Sequence, residues 1–309
     1  MAAITPTMIK ELRERTQAGM SDCKSALTES EGNVDKAVEI ILKKGIVKAA
    51  SREGRIATEG EVRTWVDAEN KRGVIVEVNC QTDFVARGDD FRGFVATCVE
   101  VAKGLARGAD LAAQSVGGKA LDVVRQEMVA KTGENTVIRR WDAIEAKTPS
   151  EFVHAYIHMG GKLAVLIRAE APNGDARKNP EFSAFIDNCA MQIAAMNPAV
   201  VAKEQITEEM LAKQKDIYAG QLKEEGKPEA AWPKIIEGKV AKWYTEVTLL
   251  GQDNVWSPDL GTIEKVRAEL GKKLGGEVKL HEFVRFGLGE GIQKKTDDLA
   301  AEVAKLTGG

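Results

Sequence analysis

One pattern occurs twice in this chain, and it constrains the fold more than any other feature of the sequence. Each copy has an apolar run typical of a buried strand and, after a short gap, an amphipathic segment with helical spacing. The runs are residues 74–78 and 163–167, and the segments carry Phe91, Phe94, Val95 and Cys98 in the first copy and Phe182, Phe185, Ile186 and Cys189 in the second. The match predicts two related α+β units that arose by duplication. The alternative is that the shared stripe is a common amphipathic pattern without any such relationship.

Antiparallel strand pairs are predicted in both units. In the first unit, residues 62–66 alternate between apolar and polar positions, and the chain turns and returns as residues 74–78. In the second unit, residues 152–156 and 163–167 flank a tight glycine turn. We therefore predict an α+β fold with antiparallel sheets, in which the two core subdomains are residues 56–149 and 150–280.

The connection between the first apolar run and its helix, residues 81–85, has an unusual composition. Thr82 and Asp83 are residues that start helices, and Phe84 stands where a loop is normally polar. A purely structural tip would be expected in both units, but the second unit has a polar turn here, residues 171–175. Two interpretations remain open. Phe84 is either a staple that packs on its own helix or an exposed side chain that reaches into another molecule.

The amino-terminal part is predicted to be a three-helix bundle. Residues 1–45 contain three short amphipathic segments, and Gly45 is predicted to end the third helix. Residues 46–59 have few large apolar side chains and are predicted to be a linker, so the domain prediction groups residues 1–55. A bundle of this size has a marginal core. Two roles for the bundle remain open: it docks to a partner, or it covers the next domain.

Two further helical segments are predicted towards the carboxyl end. Residues 206–250 form an antiparallel hairpin that projects from the second unit, because an acidic first turn starts its first helix and Gly226 and Pro228 turn the chain. Residues 281–309 are predicted to form a carboxy-terminal helical module, with its last helix at residues 294–306.

Composition excludes several classes of function. A net charge of -3 argues against a protein that binds nucleic acid by neutralising phosphates. The four cysteines are far apart in apolar segments, which predicts buried free thiols in a reducing cytoplasm and no disulfides. Neither a membrane-spanning run nor a secretion signal is recognisable in the sequence.

Motifs for catalysis and cofactor binding are also missing from the sequence. It contains no GxxxxGK[ST] phosphate loop, and the spacing of Gly287, Gly289 and Gly291 does not fit a dinucleotide-binding fingerprint. His154 and His158 lie on a predicted strand without an acidic residue to complete a metal site. We therefore predict no cofactor, no metal and no enzymatic activity. The alternatives are an enzyme with Asp83 or His158 as general base, and an adaptor for ubiquitin-like proteins based on residues 1–45.

Four segments resemble motifs of the elongation factor Ts family. The first is residues 77–87, E-V-N-C-Q-T-D-F-V-A-R, and the second lies in residues 12–27, with Leu12-Arg13, Thr16, Gly19-Met20, Asp22, Lys24 and Ala26-Leu27. The others are residues 192–198, Q-I-A-A-M-N-P, and residues 283–291, which carry F-V-R-F and then G-E-G. They occur in the order of the family, and the similarity as a whole runs from residue 4 to the end of the chain.

The resemblance implies a guanine-nucleotide exchange factor that binds elongation factor Tu, both GDP-bound and nucleotide-free, and promotes GDP release by displacing Mg²⁺. It implies a ubiquitin-associated-like fold for the bundle, a coiled-coil arm for the hairpin and a docking role for the carboxy-terminal module. By the same resemblance, the Mg²⁺-displacing contact is made by Thr82, Asp83, Phe84 and Val85. Further partner contacts are implied for Leu12, Arg13, Met20, His158, Gly160 and Gly161.

Overall fold

The computed structural model describes residues 4–16, 18–50, 52 and 54–293. The predicted last helix, residues 294–306, lies outside this part of the chain. The helices are α1 (Pro6–Thr16), α2 (Met20–Glu29), α3 (Val34–Ala50), α4 (Asp83–Arg87), α5 (Asp89–Ala102), α6 (Leu121–Thr132), α7 (Gly174–Arg177), α8 (Pro180–Met196), α9 (Glu208–Glu224), α10 (Trp232–Val247) and α11 (Ile263–Leu274). The strands are β1 (Glu59–Val66), β2 (Arg72–Cys80), β3 (Ser115–Val116), β4 (Lys119–Ala120), β5 (Val137–Glu145), β6 (Glu151–His158), β7 (Leu163–Glu170) and β8 (Lys279–Gly287).

Two three-stranded antiparallel sheets form the centre of the molecule. Their strand orders are β1-β2-β5 and β6-β7-β8, so each unit places the second strand of its hairpin in the middle. Each third strand carries a β-bulge, with Arg139 as the extra residue in β5 and His281 in β8. The predicted α+β fold with two related units is confirmed, and the matching bulges support an origin by duplication.

The sheets pack face to face, and helices cover their outer faces. Ile75, Leu166 and Phe286 lie in the apolar layer between the sheets. Phe91 of α5 is buried in the core that the first sheet forms with helices α4 to α6. Phe182 of α8 is buried in the core that the second sheet forms with helices α7, α8 and α11. The central strands are therefore buried on both faces, which explains why the two apolar runs do not alternate with polar residues.

The amino-terminal helices form a small bundle with its own core, made by Leu12, Cys23, Ala26, Leu27 and Ala37. The predicted end of the third helix at Gly45 is wrong, because α3 continues to Ala50 and occupies the first part of the predicted linker. A glycine costs a helix only about 1 kcal/mol relative to alanine, and α3 packs against α6 of the first unit. That tertiary contact offsets the weak helix propensity of Gly45.

The cysteines are buried free thiols, as predicted. Burial raises the pKa of Cys80 and of Cys98 to about 12. A thiol with such a pKa stays protonated at neutral pH, and the thiolate is the reactive form. These cysteines therefore act as core residues and not as nucleophiles.

Helices α9 and α10 form an antiparallel arm. Leu222, Val240 and Trp243 are its buried side chains. At the base of the arm, the amide of Leu249 donates to the carbonyl of Val200 over 2.9 Å, and Leu249 is fully buried in the core of the second unit. In the described part of the chain, neither the arm nor any other helix is both long and apolar enough to cross a membrane.

Removing the arm above its base should leave the two sheets folded. A variant in which a short Gly/Ser linker replaces residues 208–246 keeps Leu249 and its hydrogen bond to Val200. We expect a cooperative urea transition, with a denaturant slope reduced in proportion to the surface removed. A broad transition without cooperativity would show that the arm is part of the core.

Candidate functional site

The site is built on the corner where β2 ends and α4 begins. Thr82 is the N-cap of α4, and its hydroxyl oxygen accepts a hydrogen bond from the amide of Val85 over 3.3 Å. Asp83 lies in the first turn, where its negative charge is stabilised by the helix dipole. Asp83 also pairs with Arg87 one turn later, with 2.9 Å between the side-chain atoms. The short helix α4 is therefore fixed by local chemistry encoded in residues 82–87.

Phe84 is a large apolar side chain at this corner, and 84% of its surface is exposed to solvent. A staple packed on its own helix would be buried, so that interpretation does not fit the structure. The neighbouring side chains have other surroundings. Val85 packs against the core of the first unit, and Ala86 is buried in it. The helix α4 thus anchors one face in the core and holds an aromatic ring in solvent on the other.

A carboxylate from a distant part of the chain fixes the tip, meaning residues 82–85, to the first unit. Both the amide and the hydroxyl of Thr82 donate to Glu134, over 3.0 and 2.7 Å to its two carboxylate oxygens. Glu134 follows Gly133, the left-handed residue with φ of 78° that ends α6. Glu134 was not predicted from the sequence, because Thr82 is far away in sequence and no motif connects the two residues.

A second glycine-rich turn lies beside the tip. A crevice of ≈ 400 Å³ is lined by Asp83 and Arg87 on one side and by Met159 and Gly160 on the other. Met159 is 74% exposed, so a large apolar side chain is accessible at this crevice. The structure therefore brings the tip together with the β6–β7 turn, although the two are far apart in sequence.

The other residues of the β6–β7 turn have different surroundings. His158 is exposed, and its Nδ1 atom lies 3.0 Å from the hydroxyl of Tyr156. Gly161 is buried, and its carbonyl accepts a hydrogen bond from the amide of Val62 over 2.8 Å. A Cβ atom at Gly161 would meet the Glu61 side chain at 2.9 Å, and the positive φ of 93° also requires glycine. Gly161 therefore connects the β6–β7 turn to β1 of the first sheet. Within this turn, His158 and Gly160 are the predicted residues that a partner can reach.

The predicted docking residues of the amino-terminal bundle also include both exposed and buried side chains. Met20 is 62% exposed and Arg13 is exposed, so both are accessible to a partner. Leu12 is fully buried in the core of the bundle. Direct contact of Leu12 with a partner does not fit this placement, and its side chain supports the helices that present the other two.

Comparison with known proteins adds to this geometry. The family model described as Elongation factor TS matches residues 81–290, a range that includes the tip. The elongation factor Ts of a Nitratiruptor species is 43% identical over 308 residues, which cover 98% of each chain. An elongation factor Ts of Clostridium perfringens is 41% identical over 311 residues, which cover 99% of each chain. That of Nautilia profundicola is 41% identical over 307 residues, covering 98% of this chain and 99% of the relative.

Proposed function

This chain belongs to the elongation factor Ts family of translation elongation factors, which act as nucleotide exchange factors, and we propose that it binds elongation factor Tu carrying GDP and accelerates GDP release. The observation that carries the proposal is the exposed ring of Phe84 on a helix that is anchored in the core. The proposed place of action is the cytoplasm, and the proposed action is exchange without chemical change of the nucleotide.

Thermodynamic linkage explains how binding alone promotes exchange. A factor that binds nucleotide-free elongation factor Tu more tightly than the GDP-bound form must weaken GDP binding by the same ratio. The interaction energy has to be larger when GDP is absent, and a contact where GDP and its metal ion hold the partner would produce that difference directly. A rigid protrusion meets this requirement, because it does not adapt its shape to the GDP-bound form.

The Mg²⁺ ion of the bound nucleotide is the proposed target. Mg²⁺ bridges phosphate oxygens, neutralises their charge and is held by few protein groups. In the proposed contact, Phe84 acts as an apolar wedge that shifts those groups, and Asp83 competes with them through its carboxylate. Thr82 and Val85 hold the wedge, since Thr82 is bound to Glu134 and Val85 packs on the core.

Further contacts with the partner are proposed on two other surfaces. His158 and Gly160, beside Met159, form the first, which would touch a second domain of elongation factor Tu. Arg13 and Met20 on the amino-terminal bundle form the second. The residues of both surfaces are accessible to a partner.

Removing the anchor of the tip should reduce exchange in a graded way. Glu134→Ala deletes both hydrogen bonds to Thr82, whereas Glu134→Gln keeps one acceptor oxygen. We expect the GDP release rate at saturating factor to fall more for Glu134→Ala than for Glu134→Gln. Because a hydrogen bond to a charged group contributes roughly 1.5–3 kcal/mol and Thr82 is partly exposed, the loss of stability should stay at or below that range.

The matched control for this prediction is Glu127→Ala on α6, whose carboxylate pairs with Lys119 at the surface. It should leave the release rate unchanged. Normal exchange by Glu134→Ala would show that the two hydrogen bonds do not position the tip.

The proposed function is tested by displacement of a fluorescent GDP analogue from elongation factor Tu. Excess unlabelled GDP is added with and without this chain, and the release rate is followed by stopped-flow fluorescence. Acceleration that saturates with the concentration of the chain supports the proposal. An unchanged release rate at saturating concentrations, with binding shown independently, would refute it.

A further inference from the structure

Three side chains with metal-binding atoms converge on neighbouring strands of the second sheet. Glu151 begins β6, Glu170 ends β7, and His281 is the bulge residue of β8. One ligand atom from each lies within 4.8 Å of the other two. The Nε2 atom of His281 is 3.2 Å from Oε2 of Glu170 and 3.8 Å from Oε1 of Glu151. This group lies far from the tip and takes no part in the proposed exchange mechanism.

Two of the three separations are close to those around a tetrahedral zinc ion. Nitrogen and carboxylate oxygen ligands lie about 2.0–2.2 Å from zinc, so tetrahedral ligands are roughly 3.3–3.6 Å apart. The two distances from His281 lie close to that range, and rotation of the Glu170 carboxylate would bring the third ligand in. The strands of one sheet hold the backbones, so little ordering is needed on binding.

Hydrogen-bond donors and basic side chains face both carboxylates and favour their negative form. Burial opposes ionisation of Glu151, but the Lys147 amide and the Arg168 guanidinium keep its pKa below the usual value. The hydroxyl of Ser150, followed by Lys279, lowers the pKa of Glu170. The two glutamates are direct cross-strand partners, an arrangement in which like charges are destabilising.

Neighbouring cations leave room for an ion at this cluster. Arg168 binds Oε2 of Glu151 and leaves Oε1 towards His281. Lys279 lies 3.3 Å from Oε2 of Glu170, but its side chain is 45% exposed and can turn to solvent. A divalent ion can therefore replace the Lys279 contact without breaking the buried pair of Glu151 and Arg168.

The first unit shows that the fold does not require these carboxylates. In the register that aligns Phe91 with Phe182, Asn79 corresponds to Glu170, and Gly60 opposite it corresponds to Glu151. The bulge residue Arg139 corresponds to His281 and pairs with Glu77. The facing glutamates with an imidazole are therefore specific to the second unit.

We propose that Glu151, Glu170 and His281 form a zinc site, in which Oε1 of Glu151, Oε2 of Glu170 and Nε2 of His281 bind the ion and water supplies the fourth ligand. A bound ion would cross-link the three strands of the second sheet. It would also brace the segment that joins the two units, because the amide of Lys147 donates to Glu151 over 2.8 Å. This proposal is independent of nucleotide exchange.

The test is isothermal titration of tag-free, chelator-treated full-length protein with ZnCl₂. One ion per chain is expected, and Mg²⁺ should not compete, since it prefers six oxygen ligands. Loss of a residue that only hydrogen-bonds to a metal ligand typically weakens metal binding about 10–100-fold. His281 and Glu170 are proposed as ligands themselves, so His281→Gln and Glu170→Gln should each weaken zinc binding by at least about 100-fold. The control His158→Gln changes an exposed histidine of the same sheet and should keep the wild-type zinc affinity.

Two outcomes would overturn the proposal: no zinc binding by the wild-type chain, or wild-type affinity in both His281→Gln and Glu170→Gln. Circular dichroism establishes that each variant is folded. The side chains changed are 25% and 20% exposed, and if one variant does not fold, the other decides the question. Zinc should also raise the midpoint of thermal unfolding of the wild type but not of the folded variants, because a ligand that binds only the native state stabilises it.

Discussion

Replacement of Phe84 by alanine is expected to slow GDP release from elongation factor Tu strongly and to leave the stability of this chain almost unchanged. The ring is 84% exposed, so its truncation should alter the free energy of unfolding by no more than about ±0.5 kcal/mol, as at other surface sites. Aromatic residues at the centre of an interface often contribute about 2 kcal/mol or more, which corresponds to roughly 30-fold in rate or affinity. The GDP release rate and urea unfolding of the same preparation measure the two effects.

The control for Phe84→Ala is Ile217→Ala on the arm, which also truncates an exposed apolar side chain. It should change neither stability nor exchange. If Phe84→Ala were strongly destabilised but exchanged normally per folded molecule, Phe84 would have only a structural role.

The largest loss of stability is expected for Glu77→Ala. Glu77 is fully buried between the sheets, and its carboxylate binds Arg139 at 2.8 Å and Arg140 at 2.5 Å. It also accepts a hydrogen bond from the amide of Gly289 over 2.7 Å, so it connects the first sheet to the chain after β8. Removing one partner of a buried ion pair costs about 3–5 kcal/mol, because the remaining charges lose their compensation.

Urea unfolding measures this loss, and Glu100→Ala is the control, because Glu100 forms an exposed pair with Lys103. The control should lie within about 1 kcal/mol of the wild type. A Glu77→Ala protein that is equally stable would show that the contacts of Glu77 do not hold the two sheets together.

Elements with strong local patterns were predictable from the sequence. The apolar run in β2 and the helical stripe that contains Phe91 and Phe94 lie where the sequence predicts them, because burial determines both periodicities. The end of α3 was not predictable, since Gly45 has the local character of a helix end and the deciding contact is with α6.

The candidate site was predictable only in part. An aromatic residue near a helix start is often a staple, so residue pattern alone did not predict the exposure of Phe84, whereas the family resemblance favoured an exposed ring. Glu134 was missed because its hydrogen bonds to Thr82 connect the ends of two distant helices. Leu12 was predicted to contact a partner but is buried, because a family motif contains core positions as well as surface ones.

The most direct test of the central claim is the rate of factor-stimulated GDP release from elongation factor Tu over a range of free Mg²⁺ concentrations. The wild-type chain, Phe84→Ala and Asp83→Ala are compared at saturating concentration. If the tip acts by displacing Mg²⁺, both variants should be slow at high Mg²⁺ and should approach the wild type as Mg²⁺ is lowered, because the metal then leaves unaided. A deficit that is the same at every Mg²⁺ concentration would contradict this mechanism.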